Sequence, residues 1–527
     1  MSRVVYAFEL RGIQGYLFNT GRLKDMIYAS ELIDYVLSQP LDEALSAVGA
    51  DPERAQPRRT GGAAYLVMDS LEQAQRMRDL WTLSILQLLP GIELVDAVAS
   101  ADSVRLAVKA ALDELQVARN RPFARLPAAS PLSALAPRTG LPAVGKERGE
   151  SLDASTATRR EVQRLAGGLT ERFGDDSLLW PNNFEEDSHE STRFRLNSDN
   201  FVGMLHLDGN GIGVVLRELN RAASHLDDDS YIAVYQAFST GLEKVTCLAA
   251  EKATAEVLAP ARSERNVVPA RPLVLGGDDL SILVRSDLAM PFAMSYARHF
   301  EELSVGFIQE LKQQLGSVEF PDKLTTSGGL VLVKPGFPFS QALALAESFA
   351  GVAKEKGTDA EGNKMAALSV YRIQGAVGDD AKALFEREQV TGDIELSLPA
   401  YGLTQDSRGK LPSLAGLLEM ADTCLSPKFS KARLRSLVSL MYQSDSLAKS
   451  DYHRWRDLMQ KDEGPLWQRF ENGLEALVGE LERDLPCSQQ VNDNGRRSSP
   501  ANDLLIALES LMVSPLKLNK EASDDCA

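Results

Sequence analysis

Cysteine is scarce and scattered: Cys247, Cys424, Cys487 and Cys526 are the only four in 527 residues, and no two form a CxxC pair. Such spacing supports neither a disulfide framework nor a cysteine zinc site, and it fits a reducing compartment. Positive charge is also in deficit, with 57 Lys plus Arg against 74 Asp plus Glu and a net charge of −17. A surface of that sign repels nucleic acid and anionic membrane, so any phosphate ligand has to be held locally, by metal ions or a few placed cations. No stretch approaches the ~18 apolar residues of a membrane span. The N-terminus, MSRVVYAFELRG, puts Glu9 and Arg11 where a signal peptide would continue its apolar run. The expectation is a cytoplasmic protein without membrane contact. No Ser-His-Asp or Cys-His set is readable, because nothing in the sequence brings the partners together.

What remains is globular. Hydrophobic residues at 44% and charged residues at 25% argue against disordered and fibrous classes, and the length suggests three or four domains. Strand 3–10, a helical spacing through Leu23, Met26, Ile27, Leu32, Ile33 and Val36, strand 60–69, helix 70–89, strand 92–100 and helix 103–119 make a first α+β unit, residues 1–125. Residues 126–199 form a connector, whose part up to 160 is rich in Pro, Ala, Ser and Gly and reads as irregular. A second α+β unit, 200–375, follows: strand 201–209, a long helix from about Ser230 stopped by Pro260, a hairpin over 271–285, helix 288–315, strand 325–334, helix 338–356 and strand 366–372. Its βαββαβ order is that of a ferredoxin-like or polymerase-palm domain. Residues 376–527 are expected to be mainly helical, with a loose polar tail after Leu518.

The two α+β units look like a repeat. Setting Gly12-Ile13 on Gly211-Ile212 places Glu9 opposite Asp208, and Gly61-Gly62-Ala63-Ala64 then matches Gly276-Gly277-Asp278-Asp279. The fold class expected is therefore α+β, two tandem palm domains with a helical C-terminal domain.

The second copy carries the chemistry. Asp278 and Asp279 sit at a hairpin tip within VLGGDDLSILV, and Asp208 ends the strand that a palm topology sets beside that hairpin. Phosphoryl transfer from a nucleoside triphosphate uses two divalent cations ~3.5–4 Å apart, and three carboxylates suffice to hold them. Mg²⁺ or Mn²⁺ suits such oxygen ligands. Gly276 and Gly277 leave room for a nucleotide, while Gly209, Gly211 and Gly213 let backbone N–H groups at a helix start face a triphosphate. A bland surface turn would explain GGDD by itself, but the flanking apolar runs bury the hairpin, and buried adjacent carboxylates without a cation are costly. Glu9 reads as a vestigial ligand, since Ala63 and Ala64 offer no carboxylate. The retained Gly61 and Gly62 suggest a nucleotide-binding, acceptor-holding side. Lys334 and His206 read as surface and core residues, the Asp227–Asp229 run as a solvated helix start, and Trp180 with Pro181 as packing at a domain junction.

The segments HLDGNGIG, VLGGDDLSILV, GLVLVKPGFPF and ALALAESFAGVAKEKG resemble the second palm domain of the large subunit of type III CRISPR effector complexes, a polymerase-related family that makes cyclic oligoadenylates from ATP. FELRGIQGYLF with TGGAAYLV resembles that family's degenerate first palm. The resemblance implies metal binding at Asp208, Asp278 and Asp279 and triphosphate contact from Lys354. The sequence also departs from the family. The five histidines precede Glu190, Leu207, Leu226, Phe300 and Arg454, so the His-Asp nuclease the family often carries is not expected. The stretch 131–143 lacks zinc-knuckle cysteines, and Asn210 stands where many members have a second aspartate. The resulting expectation is a nucleotidyltransferase or cyclase joining NTPs, ATP first, into a cyclic or short oligonucleotide for antiviral defence. A mononucleotide or dinucleotide cyclase and a non-catalytic scaffold sensing nucleotide or RNA are the alternatives. An RNA or protein activator and a homo-oligomer are left open.

Overall fold

A computed structural model describes residues 2–56, 58–121, 132–161, 168–184, 193–316, 319–375, 378, 380–407 and 411–511. The expected polar tail, His189 and much of the connector's Pro- and Ala-rich stretch lie outside the described residues.

The first unit is built from β1 (Arg3–Arg11), α1 (Ile13–Phe18), α2 (Leu23–Val36), β2 (Arg58–Thr60), β3 (Ala63–Met68), α3 (Leu71–Leu88), β4 (Glu93–Ala101) and α4 (Val104–Ala118). The strands form an antiparallel sheet in the order β2-β3-β1-β4. Alternation along β1 sorts its side chains between two faces, as a period of two requires. Tyr6 and Phe8 join the cluster that holds α2 and α3, with the Phe8 ring 5.4 Å from Trp81, while Val5 and Ala7 share a cluster with Val104, Val108 and Leu115 of α4.

The second unit repeats this plan with β7 (Val202–Gly209), α6 (Ile212–Ala222), α7 (Asp228–Ala253), β8 (Ala270–Gly276), β9 (Asp279–Arg285), α8 (Ser286–Leu315), β10 (Thr326–Val333), α9 (Phe339–Lys356) and β11 (Ala367–Arg372). Its sheet runs β12-β11-β10-β7-β9-β8, where β12 is the short edge strand Tyr401–Gly402. The four strands β8-β9-β7-β10 thus stand in the same order as β2-β3-β1-β4. Leu205, Leu207, Leu280 and Ile282 pack with α7 and α8 in one cluster, while Val202, Met204, Val331 and Val333 pack with α9 in the other. The face that meets α9 is the face on which Asp208 stands, two residues beyond His206.

The connector is more ordered than its composition suggests. β5 (Ala143–Glu147) and β6 (Glu150–Asp153) form a hairpin that leads into α5 (Ala154–Glu161). Apolar periodicity is weak there because polar contacts do the holding. The buried Arg160 guanidinium donates to Asp25 of α2 at 2.8 and 3.0 Å, to Glu147 at 2.6 Å and to Glu150 at 3.2 Å. Asp153 caps α5 by accepting from Ser155 and Thr156. Trp180 packs edge-on against Phe173, 5.6 Å between centroids.

Contacts join the two units across their length. Arg271 of β8 donates to Glu31 of α2 at 2.8 Å with both side chains buried, the connector's Arg172 bridges Asp34 of α2 at 2.8 Å and the Leu275 carbonyl of β8 at 3.1 Å, and Arg3 donates to Asp228 at 2.6 Å. Asp228 also accepts from the Val104 amide at the start of α4, so within the Asp227–Asp229 run Asp227 is the helix cap, accepting from Ser230, and Asp228 ties the units together. Beyond β12 the longer elements are α11 (Leu414–Cys424), α12 (Lys431–Gln443), α13 (Asp445–Val478) and α14 (Ala501–Leu511), packed around Trp455, Trp467 and Phe470. Among the described residues no helix is long and apolar enough to cross a membrane.

Candidate functional site

The antiparallel register of β7 and β9 sets Asp208 directly opposite Asp279, and the Gly209 amide donates to the Asp278 carbonyl at 3.2 Å. Gly276 and Asp279 pair across the two strands, so the hairpin turns on two residues, Gly277 and Asp278, rather than on all four of GGDD. Gly277 supplies the positive φ, +63°, that such a turn needs. A side chain at position 209 would meet the Asp278 Cβ at 2.7 Å, and glycine there lets the turn close onto the strand end. Ligand oxygens of Asp208, Asp278 and Asp279 all lie within 4.8 Å of one another, the one such acidic cluster among the described residues. Thr246 of α7 steadies the turn from behind, its buried hydroxyl donating to the Gly277 carbonyl at 2.7 Å.

Crowding makes the charges repel. Desolvation first, and then the charge of Asp208, raise the carboxyls of both Asp278 and Asp279 above the ordinary carboxylate range. Asp279 is pushed up further, to about 8 against about 6 for Asp278, because it feels the charge of Asp278 as well as that of Asp208, although its residue keeps an open face to solvent. The Lys354 ammonium, in the last turn of α9, donates to the Asp208 carboxylate and offsets part of this excess. Hard oxygen donors converging on one point, with more negative charge than the local lysine neutralises, fit Mg²⁺ or Mn²⁺.

The remaining expected residues divide into two groups. Gly211 caps α6 in the left-handed region, φ +75°, with no capping side chain, and Gly213 is the second residue of that helix, so the start of α6 is uncluttered. Gly276 has open space where a side chain would be. Asn210 turns away from the carboxylates: its buried amide lies within hydrogen-bond reach of Thr325 Oγ1, Ser327 Oγ and the Met365 carbonyl, which ties β7 to β10 and β11. His206 is buried, its Nδ1 3.0 Å from Ser281 Oγ, and burial pushes its pKa down to about 4. Lys334 donates to the Asp199 carbonyl and lies over the Phe201 ring, a surface role.

In the first unit the register corrects the repeat by one position. Glu9 pairs with Ala63, and the Leu10 amide donates to the Gly62 carbonyl, as Asp208 pairs with Asp279 and Gly209 donates to Asp278. Ala63 therefore corresponds to Asp279 and Gly62 to Asp278, with Gly61 in the place of Gly277. Matching the two Gly pairs sets the repeat one position off, because the strands pair by distance from the turn. Gly62 has φ +82°, and a Cβ there would meet Ile13 Cδ1 at 2.6 Å, so a bulky residue would strain the first unit itself and would not probe a ligand alone.

The sequence reading missed three residues. Arg119, just after α4, donates to both Glu9 oxygens at 2.7 Å, in the place that Lys354 takes in the last turn of α9; setting the two post-strand helices side by side would have found it. Gln14, in the first turn of α1, donates to Glu347 of α9, whose carboxyl is raised first by burial and then by the charge of Asp208. The start of α1 thus borders the helix that carries Lys354, and no local motif marked either residue.

The fold and cluster define an α+β protein with a ferredoxin-like sheet bearing three convergent carboxylates, and residues 201–362 match the family model described as Cas10/Cmr2, second palm domain. Csm1 of T. onnurineus is similar in structure over 96% of this chain and 69% of its own, with TM-score 0.51 and 14% identity. A Csm1–Csm4 cassette crystallised with cA4 aligns over 96% and 70% at TM-score 0.48 and 12% identity, and one with AMPPNP over 97% and 70% at 0.49 and 12%. No curated protein matches the chain in sequence. The chain is similar to the large palm subunit of type III CRISPR effector complexes.

Proposed function

We propose that the chain is a metal-dependent nucleotidyltransferase that joins NTPs, ATP first, into a cyclic or short oligonucleotide in antiviral defence, acting in the cytoplasm. The observation that carries this reading is the convergence of Asp208, Asp278 and Asp279 beside Lys354 within the segment matched by the second palm family model. Asp208, Asp278 and Asp279 would hold Mg²⁺ or Mn²⁺, two ions in all, which when bound supply Lewis acidity toward an acceptor hydroxyl and the triphosphate. With the carboxylates so neutralised, Lys354 is free to turn from Asp208 to a phosphate oxygen. The uncapped start of α6 leaves backbone N–H groups for the same anion, and the bare Gly276 leaves space for the nucleotide.

In this reading residues 1–125 and 200–375 are two palms in tandem, and the first holds the acceptor nucleotide. The contact of Gln14 with Glu347 supports that arrangement, because it sets the start of α1 against the helix that carries Lys354. The test is incubation with each NTP and Mg²⁺ or Mn²⁺, followed by mass spectrometry. Oligonucleotide products with released pyrophosphate, lost in Asp208→Asn, support the proposal. ATP binding without turnover under all these conditions would leave a nucleotide-sensing scaffold instead.

A further inference from the structure

A cleft of about 540 Å³ opens between α9, α10 (Ala381–Glu388) and the segment 488–498, and none of the three clustered carboxylates lines it. Small-molecule sites commonly have volumes of roughly 300–1,000 Å³ with apolar walls and a few polar anchors. Phe349, Leu398 and Leu477 line this one with buried apolar surface. Among them stands Glu395, only 2% exposed.

The charges around Glu395 do not balance. Glu355, Glu386, Glu395 and Asp493 line the cleft with Lys356 and Lys382, and Arg496 stands beside Glu386 and Glu395, four carboxylates against three cations. Lys382 is taken by Glu355 at 2.7 Å, and the nearby Arg496 gives its short contact, 2.7 Å, to Glu386. Glu395 is left with Arg496 at 3.7 Å and the Asn494 amide at 3.3 Å, both longer than the ~2.7–2.9 Å of a charge-assisted hydrogen bond. A buried carboxylate held so loosely favours a cationic donor, and the apolar walls favour an occupant that brings its own apolar body.

We propose that this cleft binds an organic cation with an apolar body, its ammonium or guanidinium group seated on Glu395. The source is a free arylalkylamine or a basic side chain of a partner segment. Isothermal titration of the full chain with phenethylamine, with phenethyl alcohol as its uncharged counterpart, and with the peptide Ac-Leu-Arg-Leu-NH₂ reads both. The amine or the peptide should bind at least about tenfold tighter than the alcohol, and Glu395→Gln should erase that margin while circular dichroism stays unchanged. Tighter binding of the amine assigns the site to a small molecule, and tighter binding of the peptide to a partner segment. Because a buried substitution can disturb folding, Asp493→Lys at the exposed rim provides a second variant. It should weaken the cation about threefold or more and leave the alcohol unaffected. Equal binding of charged and uncharged probes, binding of none of them, or cation binding unchanged in both variants would overturn the proposal.

Discussion

The two sheets give opposite answers to the same geometric problem. In each, a carboxylate ends the first strand, a two-residue turn approaches it, and the helix after the fourth strand ends on a basic side chain that reaches it: Glu9 and Arg119 in one, Asp208 and Lys354 in the other. Around Asp208 the turn adds two more acids, so one lysine leaves negative charge in excess. Around Glu9 the turn adds Gly62 and Ala63, and the arginine grips both oxygens of the one carboxylate. Charge therefore closes within the first unit and stays open in the second. The difference shows that a strand-end carboxylate carries little information by itself. The charge count around it separates a closed ion pair from a cluster with negative charge in excess.

The largest expected effect tests the open side. Asp278→Ala with Asp279→Ala should abolish nucleotide turnover, a loss of several kcal/mol of transition-state stabilisation, roughly 10³-fold or more. Folding should survive, because the change removes charges that repel one another. Pyrophosphate release and circular dichroism check both halves, and turnover persisting at a comparable rate would defeat the assignment. Next in size is Lys354→Ala, expected to lower turnover by about 10–100-fold, in line with the loss of a hydrogen bond from a charged group. An equal loss from Arg119→Ala would make the two basic residues equivalent and dissolve the contrast.

The unbalanced charge also predicts a pH signature. The folded-state pKa values of Asp278 and Asp279 are raised above the ordinary carboxylate value, so their contribution to stability is fully present below about pH 4 and is lost as pH rises through the folded values. Metal-free protein should accordingly lose stability between about pH 4 and the folded values of about 6 and about 8, and Mg²⁺ should restore it, by about 2.7 kcal/mol at 100 times its Kd. Thermal melts with and without EDTA read this. A flat profile, or one that survives in the double alanine variant, would place the titration elsewhere.

Much of this contrast was legible in the sequence. Alternation fixed β1 and β7, the glycine pairs marked both hairpins, and Asp208 with GGDD stood out because acids inside apolar runs demand a reason. The pairing register was not legible, since it depends on where each strand meets its turn, and the repeat was offset by one residue as a result. Arg119 and Gln14 were invisible for a related reason. They act at the ends of helices whose packing is set by residues far along the chain, and an isolated Arg or Gln in such a place looks like any solvated side chain. The hairpin 143–153 escaped because ion pairs to Asp25, Glu147 and Glu150 organise it, and no apolar period announces an ionic anchor.

The smallest expected effect is the most direct test of the closed side. Glu9 and Arg119 lie near the surface, with the arginine side chain 48% exposed, and an exposed pair of this kind is worth about 0.2–1 kcal/mol. Replacing both, Glu9→Gln with Arg119→Gln, keeps side chains of similar reach, leaves no lone charge, and should lower the unfolding free energy by no more than that. Turnover should stay within about twofold of wild type, because the charges that act on Asp278 and Asp279 come from the cluster itself and Lys354. Urea unfolding and pyrophosphate release on the same preparation measure the two quantities together. A turnover loss of tenfold with stability intact would mean that the first unit's ion pair takes part in handling the acceptor. The acceptor side of the first unit would then include this ion pair, and a closed charge count would not mark a purely structural contact.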